Sequence, residues 1–507
     1  MAKVFPIDSM QDWSFEQIEA VYLKLEDLAR NKYKLDFYPN QIEVVSAEQM
    51  LDAYSSVGMP VMYKHWSFGK SFVQNYQQYI QGKMGLAYEL VINSSPTINY
   101  LQEENSAMMQ TLVIAHAAFG HNSFFKCNHL FKQWTDAEGI VDYLTFANEF
   151  IAKCEERHGW AEVEAVLDAA HAIQNYGVDK YKRARHSALK WQERQAEREE
   201  HERRMVNLLM DATIPKTSQV RTEEEAETFE RQDNLLYFIE KNAPGMPTWK
   251  REIMRIVRKI AQYFYPQRLT KVMNEGWATF WHYTLMHDLR EQGLLTQGCM
   301  LEFYESHCGV VWQHPRSNSM NPYALGFEIF QDIKRIAMEP DQEDRDWFST
   351  QKWVGCGDWL TTLDWAMRNF KDESFIQQFM SPKVMRKFGL FTLLDDERDE
   401  QYEITAIHND AGYRKVRDTL ARQHTNEMFL PEICVVGYRK RTDRGLELQH
   451  DVVNARPLEM EETMTVLHHL ETLWGYPVQL TSVTSDGTVR NKIVMKDGIP
   501  SVDVHNI

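Results

Sequence analysis

A mainly α-helical body followed by a small C-terminal α+β domain is the architecture this 507-residue sequence predicts. Three observations carry it. Apolar residues recur at three- and four-residue steps in segments spread from residue 12 to 380, as in helices that bury one face. From Ile433 the pattern changes to short β-branched runs between turn residues, with one helical stretch among them. Between 181 and 232 the chain is almost wholly charged and polar, which divides the body into 1–180 and 233–430 ahead of the domain at 431–507.

In chain order, residues 12–35 read as an amphipathic helix with Ser14 as N-cap and Glu16 just inside. Residues 56–70 read as an aromatic loop broken by Gly58, Pro60 and Gly69. A strand is expected at Tyr88–Asn93, then helix over 97–131, disturbed around Gly120, and two helices over 140–176. The 181–232 segment reads as a solvated helix laced with ion pairs or a linker, without chemistry of its own. Further helices are expected at 248–264, 270–290, 298–306, 323–338, 358–369 and 373–380. In the tail, 433–438, 446–453, 477–484 and 492–495 read as strands, 461–474 as a helix, and Asp486-Gly487 as a turn. The tail forms a module separate from the helical body.

Composition is that of an ordinary globular protein, with 43% hydrophobic and 25% charged residues. A net charge of −17 disfavours nucleic acid and anionic membranes, which need a basic face. No helix-turn-helix, zinc-knuckle, P-loop or dinucleotide-binding pattern is present. The six cysteines form no C-x-x-C pair and read as reduced thiols. Neither a signal-peptide pattern nor a run of about 18 apolar residues occurs, so a cytoplasmic location is the expectation.

Three constellations can carry chemistry. In His-Ala-Ala-Phe-Gly-His, His116 and His121 are five residues apart. A regular helix would turn the second side chain about 140° from the first. A single π-turn restores the alignment, and Gly120 weakens the helix where that is needed. In Asn-Glu-Gly-Trp-Ala, Glu275 sits among Met273, Trp277, Ala278 and Phe280, and a carboxylate in apolar surroundings needs a cation or a metal. His282 shares its face but lies about 10 Å further along. That places it beyond direct ligation, where it contacts substrate or supports the ligands. In Asn-Pro-Tyr-Ala-Leu-Gly, Pro322 suits a helix start and Tyr323 can stabilise an oxyanion; Arg335 follows on the same helix.

The order, two His, then Glu in E-G-W-A, then Y-x-x-G, resembles zinc peptidases of the gluzincin type, in which two His of one helix and a Glu of a later one bind the metal. That resemblance implies one divalent ion, zinc by its donors, on His116, His121 and Glu275. Tyr323 or His282 would then act on the oxyanion or leaving group, and Asn274, Arg335, His65, Trp66 and His171 would line the cleft. It departs at Ala117, where the peptidases carry their catalytic Glu. Glu103 and Glu104, read as three turns earlier on the same helix, are candidate replacements, with Glu155, Glu156 and His171 as others.

Longer strings go further. D-A-Y-S-S-V-G-M-P-V-M-Y-K-H-W-S-F-G-K, G-L-A-Y-E-L-V-I-N-S-S-P, A-H-A-A-F-G-H-N-S-F-F-K, N-Y-G-V-D-K-Y-K-R and V-M-N-E-G-W-A-T-F-W-H-Y together resemble the SpoVR family, closest to its proteobacterial YcgB-like branch. The resemblance implies a link to spore cortex formation or, in bacteria without spores, to stress physiology. It also implies a PrkA-type serine protein kinase and a YeaH-type protein as partners. It supplies no activity. Two readings stay open: a metal-dependent hydrolase of amide or peptide bonds, and a non-catalytic regulator or scaffold.

Overall fold

The computed structural model describes residues 5–8, 12–56, 58–59, 61–80, 89–181, 231–314, 319–390, 393–394, 403–404, 410–425, 430–439, 442–452 and 457–504. The charged segment expected at 181–232 falls almost entirely outside them. Among the described residues no helix is long and apolar enough to cross a membrane, and none of the six cysteines is in a disulfide.

The first helix, Phe15–Asp27, starts at Ser14, whose side chain accepts from Gln17 N while the Gln17 side chain returns to the Ser14 N–H. A small sheet follows: β1 (Asn40–Val45), β2 (Glu89–Ile92) and β3 (Thr97–Gln102), in the order β1-β3-β2, with β1 parallel and β2 antiparallel to β3. β3 corrects the helix expected from residue 97. Thr97, Ile98 and Tyr100 suit a pleated surface, and helix begins only at Ala107, where Ser106 accepts from Met109 N. The aromatic loop is also shorter than expected, because Trp66–Ile80 is helical.

Helices Ile140–His158 and Trp160–Ala172 meet at Gly159, whose φ of 84° turns the chain between them. Leu235–Asn242, Thr248–Leu269, Lys271–Glu291, Gln297–Val310, Pro322–Met338, Trp359–Asn369 and Asp372–Phe379 continue the body.

Three helices form its centre. The His helix runs from Ala107 through a π-helical stretch, Ala115–His121, to Cys127. The Glu helix is Lys271–Glu291 and the Tyr helix is Pro322–Met338. They touch at backbone distance. A Cβ on Gly120 would lie 2.6 Å from Ala278 Cα, and one on Gly326 would lie 2.7 Å from Gly276 Cα. Thus Gly120, Gly276 and Ala278 are small because the Glu helix is clasped on two sides. Trp277 fills the space beside them, 5.3 Å from the Phe330 ring, with its indole N–H donating to Ser123 Oγ at 2.9 Å. The N-terminus of the Glu helix lacks a cap from its own Thr270 side chain; instead the buried Asp372 carboxylate accepts from Val272 N and Met273 N at 2.8 and 2.9 Å.

The C-terminal sheet has the order β10-β9-β8-β7-β6, from β6 (Glu432–Tyr438), β7 (Leu446–Asp451), β8 (Val478–Val483), β9 (Val489–Lys496) and β10 (Ile499–Val504). Helix Met460–Trp474 joins the parallel pair β7 and β8. The module packs against the body. Its apolar side chains share one core with Ile140–His158, Trp160–Ala172 and Thr248–Leu269, and Trp474 stacks on Phe238 at 5.9 Å. A sheet buried on one face needs a covering layer, and the connecting helix is itself covered by the body.

At an exposed helical site Gly→Ala stabilises by about 1 kcal/mol. At Gly276 or Gly326 the added carbon meets opposing backbone, so Gly276→Ala and Gly326→Ala are expected to destabilise by about 1–3 kcal/mol. The midpoint of denaturant unfolding reads this, and an unchanged or raised midpoint contradicts the clasp.

Candidate metal centre

The widened turn expected at Gly120 is present as the π-helical stretch Ala115–His121, every residue of which is buried. It turns His116 and His121 to one side, with ring centroids 4.6 Å apart. The Glu helix brings Glu275 opposite: Oε2 is 3.5 Å from His121 Nε2 and 4.0 Å from His116 Nε2. The structure thus gathers His116, His121 and Glu275 at one point.

A fourth residue arrives from the sheet. Glu89, first residue of β2, places Oε1 3.3 Å from His116 Nε2, and ligand atoms of Glu89, His116 and His121 all lie within 4.8 Å of one another. Sequence reasoning missed Glu89. The signal was a carboxylate heading the apolar run Glu-Leu-Val-Ile, but only strand pairing brings it to the His helix. Glu89 Oε2 and Glu275 Oε2 are both buried without a hydrogen bond. Two imidazoles facing two carboxylates with unsatisfied oxygens fit a divalent cation.

The remaining imidazole nitrogens are held from behind. His121 Nδ1 is 3.0 Å from Asn274 Oδ1, and His116 Nδ1 is 2.8 Å from His282 Nδ1. Asn274 and His282 therefore act on the two histidines, where the sequence reading had Asn274 lining the cleft. Tyr323 closes another side, its ring 6.4 Å from His116.

Burial dominates the electrostatics. It holds the His116 imidazole well below its usual range, helped by His121 and His282, and holds the Glu89 carboxyl well above its range, helped by Glu275. Burial also raises the Tyr323 phenol, with Glu275 and Glu89 adding to the effect. His282 is lowered likewise, and His307, 2.9 Å from His282 Nε2, is lowered to about 4.

The other predicted residues lie elsewhere. Glu103 and Glu104 are exposed in the turn after β3 rather than on the His helix, and Glu104 accepts from Gln102 Nε2 at 3.2 Å. Glu155 and Glu156 sit at the end of Ile140–His158, half-buried and exposed. His65, Trp66 and His171 tie Trp66–Ile80 to Trp160–Ala172. His65 Nε2 and Trp66 Nε1 both meet Asp168 Oδ1, at 3.1 and 2.6 Å, and the His65 and His171 rings are 4.5 Å apart. Arg335 is engaged by Asp332 and Asp344 at 2.7 and 2.6 Å. Its position more than three turns beyond Tyr323 carries it away from the cluster.

A family model described as "SpoVR like protein" matches residues 12–429, and one described as "SpoVR-like C-terminal domain" matches residues 431–485. The chain is 52% identical over 485 residues to a protein of Escherichia coli (strain K12) described as "Uncharacterized protein YcgB", with 94% of each chain covered. No solved structure matches it.

His307 gives a pH dependence with a definite sign. Its folded value, about 4, lies below the ordinary 6.5, so the unfolded chain takes up a proton across that window that the native state refuses. Its contribution is complete above 6.5 and lost as pH falls toward 4. Metal-free protein should lose stability over this range, and His307→Phe should show a slope smaller by about one proton. Urea midpoints taken across the window test this; identical slopes refute it.

Proposed function

The chain belongs to the SpoVR family, and within that membership we propose that it is a hydrolase of amide or peptide bonds holding one divalent ion, zinc by its donors, in a gluzincin-like arrangement on His116, His121 and Glu275. One observation carries the reading: two buried carboxylate oxygens, on Glu89 and Glu275, lack hydrogen bonds beside two imidazole Nε2 atoms. A dication offsets the repulsion of both carboxylates at once. When bound, it supplies Lewis-acid polarisation of a carbonyl and acidifies a water.

The chain's own groups do the rest. Ala117 offers no carboxylate beside His116, and Glu89 supplies one from the sheet. Placed there, it takes a proton from the attacking water and returns it to the leaving amine. Tyr323, kept protonated by burial and by the two carboxylates, donates to a developing oxyanion. Cell-wall peptides are the substrate class that the family resemblance favours.

One feature favours the second reading. The His116 and His121 side chains are only 6% and 9% exposed, as in a closed structural site. In that reading the ion braces a scaffold that works in the cytoplasm with a PrkA-type kinase and a YeaH-type protein.

Elemental analysis of protein purified without chelator should find about one zinc per chain. His116→Ala and Glu275→Ala should lose it. Equal metal content in all three proteins removes the site. Glu89→Gln should keep the metal while peptide hydrolysis falls by about 10²–10⁴-fold. Full function of that variant in cells favours the scaffold.

A further inference from the structure

We propose that His307 is a positioning residue that acts through His282 to fix the tautomer in which His116 can hold a metal ion. This rests on the metal reading above and extends the site to the Gln297–Val310 helix.

Three imidazoles form one line. His116 Nδ1 is 2.8 Å from His282 Nδ1, and His282 Nε2 is 2.9 Å from His307 Nδ1. All three are buried, at 5%, 1% and 5% exposure, so the neutral ring is the favoured form of each. A neutral imidazole has one N–H and one lone pair. Each nitrogen–nitrogen contact therefore holds one proton, and the direction of one bond sets the others.

Only two directions are self-consistent. In the first, His116 donates from Nδ1 to His282 Nδ1, and His282 donates from Nε2 to His307 Nδ1. His116 Nε2 is then left with its lone pair, facing Glu89 and Glu275, and can ligate. In the second, every proton sits on the opposite side. His116 Nε2–H then points at Glu89 Oε1, 3.3 Å away, and has no lone pair to offer. The acceptor that permits the first direction is His307 Nδ1. Without it, the buried His282 Nε2–H has no partner, a loss that opposes ligation.

His121 needs no such chain. Its Nδ1 faces Asn274 Oδ1 at 3.0 Å, and a carbonyl oxygen can only accept. One arm of the site is thus fixed in a single step and the other through two rings. Phe303, Phe327 and Tyr283 pack around His307 with centroids 5.6, 5.0 and 5.0 Å away, which holds its Nδ1 edge toward His282.

The test is zinc affinity of the full chain, by competition with a chromophoric chelator, with folding of each variant checked by circular dichroism. His307→Phe keeps a flat ring but removes the acceptor, and should bind zinc about 10–100-fold more weakly. His307→Asn restores an acceptor oxygen near the Nδ1 position and should return affinity close to wild type. Equal weakening in both variants means packing alone and overturns the assignment, as does no weakening in either. If wild type binds no zinc, the metal reading falls and this falls with it. If wild type and His307→Phe bind zinc alike, only the role of His307 falls. A second measurement needs no variant. In zinc-loaded protein carrying 15N-histidine, His307 should show a bare Nδ1 and a protonated Nε2, and the opposite tautomer or a doubly protonated ring overturns the proposal.

Discussion

The centre of the molecule depends on helices that approach to backbone distance. Gly120 against Ala278, and Gly276 against Gly326, leave no room for a Cβ at any of the three glycines. Wider spacing would move His116 and His121 away from Glu275 by the width of a side chain. The clasp also decides which way the Glu helix faces. With Gly276 and Ala278 turned to its neighbours, Glu275 points to the His helix and Trp277 fills the core between Ser123 and Phe330. Asp372 holds the end of the same helix, one turn before Glu275, through Val272 N and Met273 N.

Against this geometry stands an electrostatic cost. Glu89 and Glu275 are brought together out of water, with Glu89 held well above its usual protonation range. Isolated carboxylates in such a place are destabilising unless paired. Two of their oxygens lack even a hydrogen bond. Well-packed cores do not keep such groups for stability alone, and perturbed ionisable groups gather at functional sites.

Much of this was legible in the sequence where the information is local. The Ser14 cap, the helices from Thr248 to Phe379 and the alternation in the tail all follow from patterns within a few turns. The π-turn was also readable, because five residues separate two histidines that a single face must present. What was missed is non-local. Thr97–Gln102 became a strand because β1 and β2 flank it, and nothing inside those six residues announces the partners. That error placed Glu104 on a helix and hid Glu89, whose role depends on β2 lying beside the His helix. Arg335 failed for a different reason: sequence proximity to Tyr323 says nothing about which end of a helix faces the site. Gly120 was read only as weakening its helix, whereas it, Gly276 and Gly326 each mark a close approach that only the assembled helices reveal.

The centre draws its carboxylates and imidazoles from three segments, with Glu89 ahead of the two histidines and Glu275 more than a hundred and fifty residues after them. In terms of biogenesis, no short piece of this chain can hold the complete set. During synthesis the N-terminal half emerges with both histidines and one carboxylate, but the fourth member arrives only with the Glu helix. Long-range closure of this kind comes late in folding. An ion seated on His116, His121 and Glu275 would therefore certify that the two halves of the body have docked.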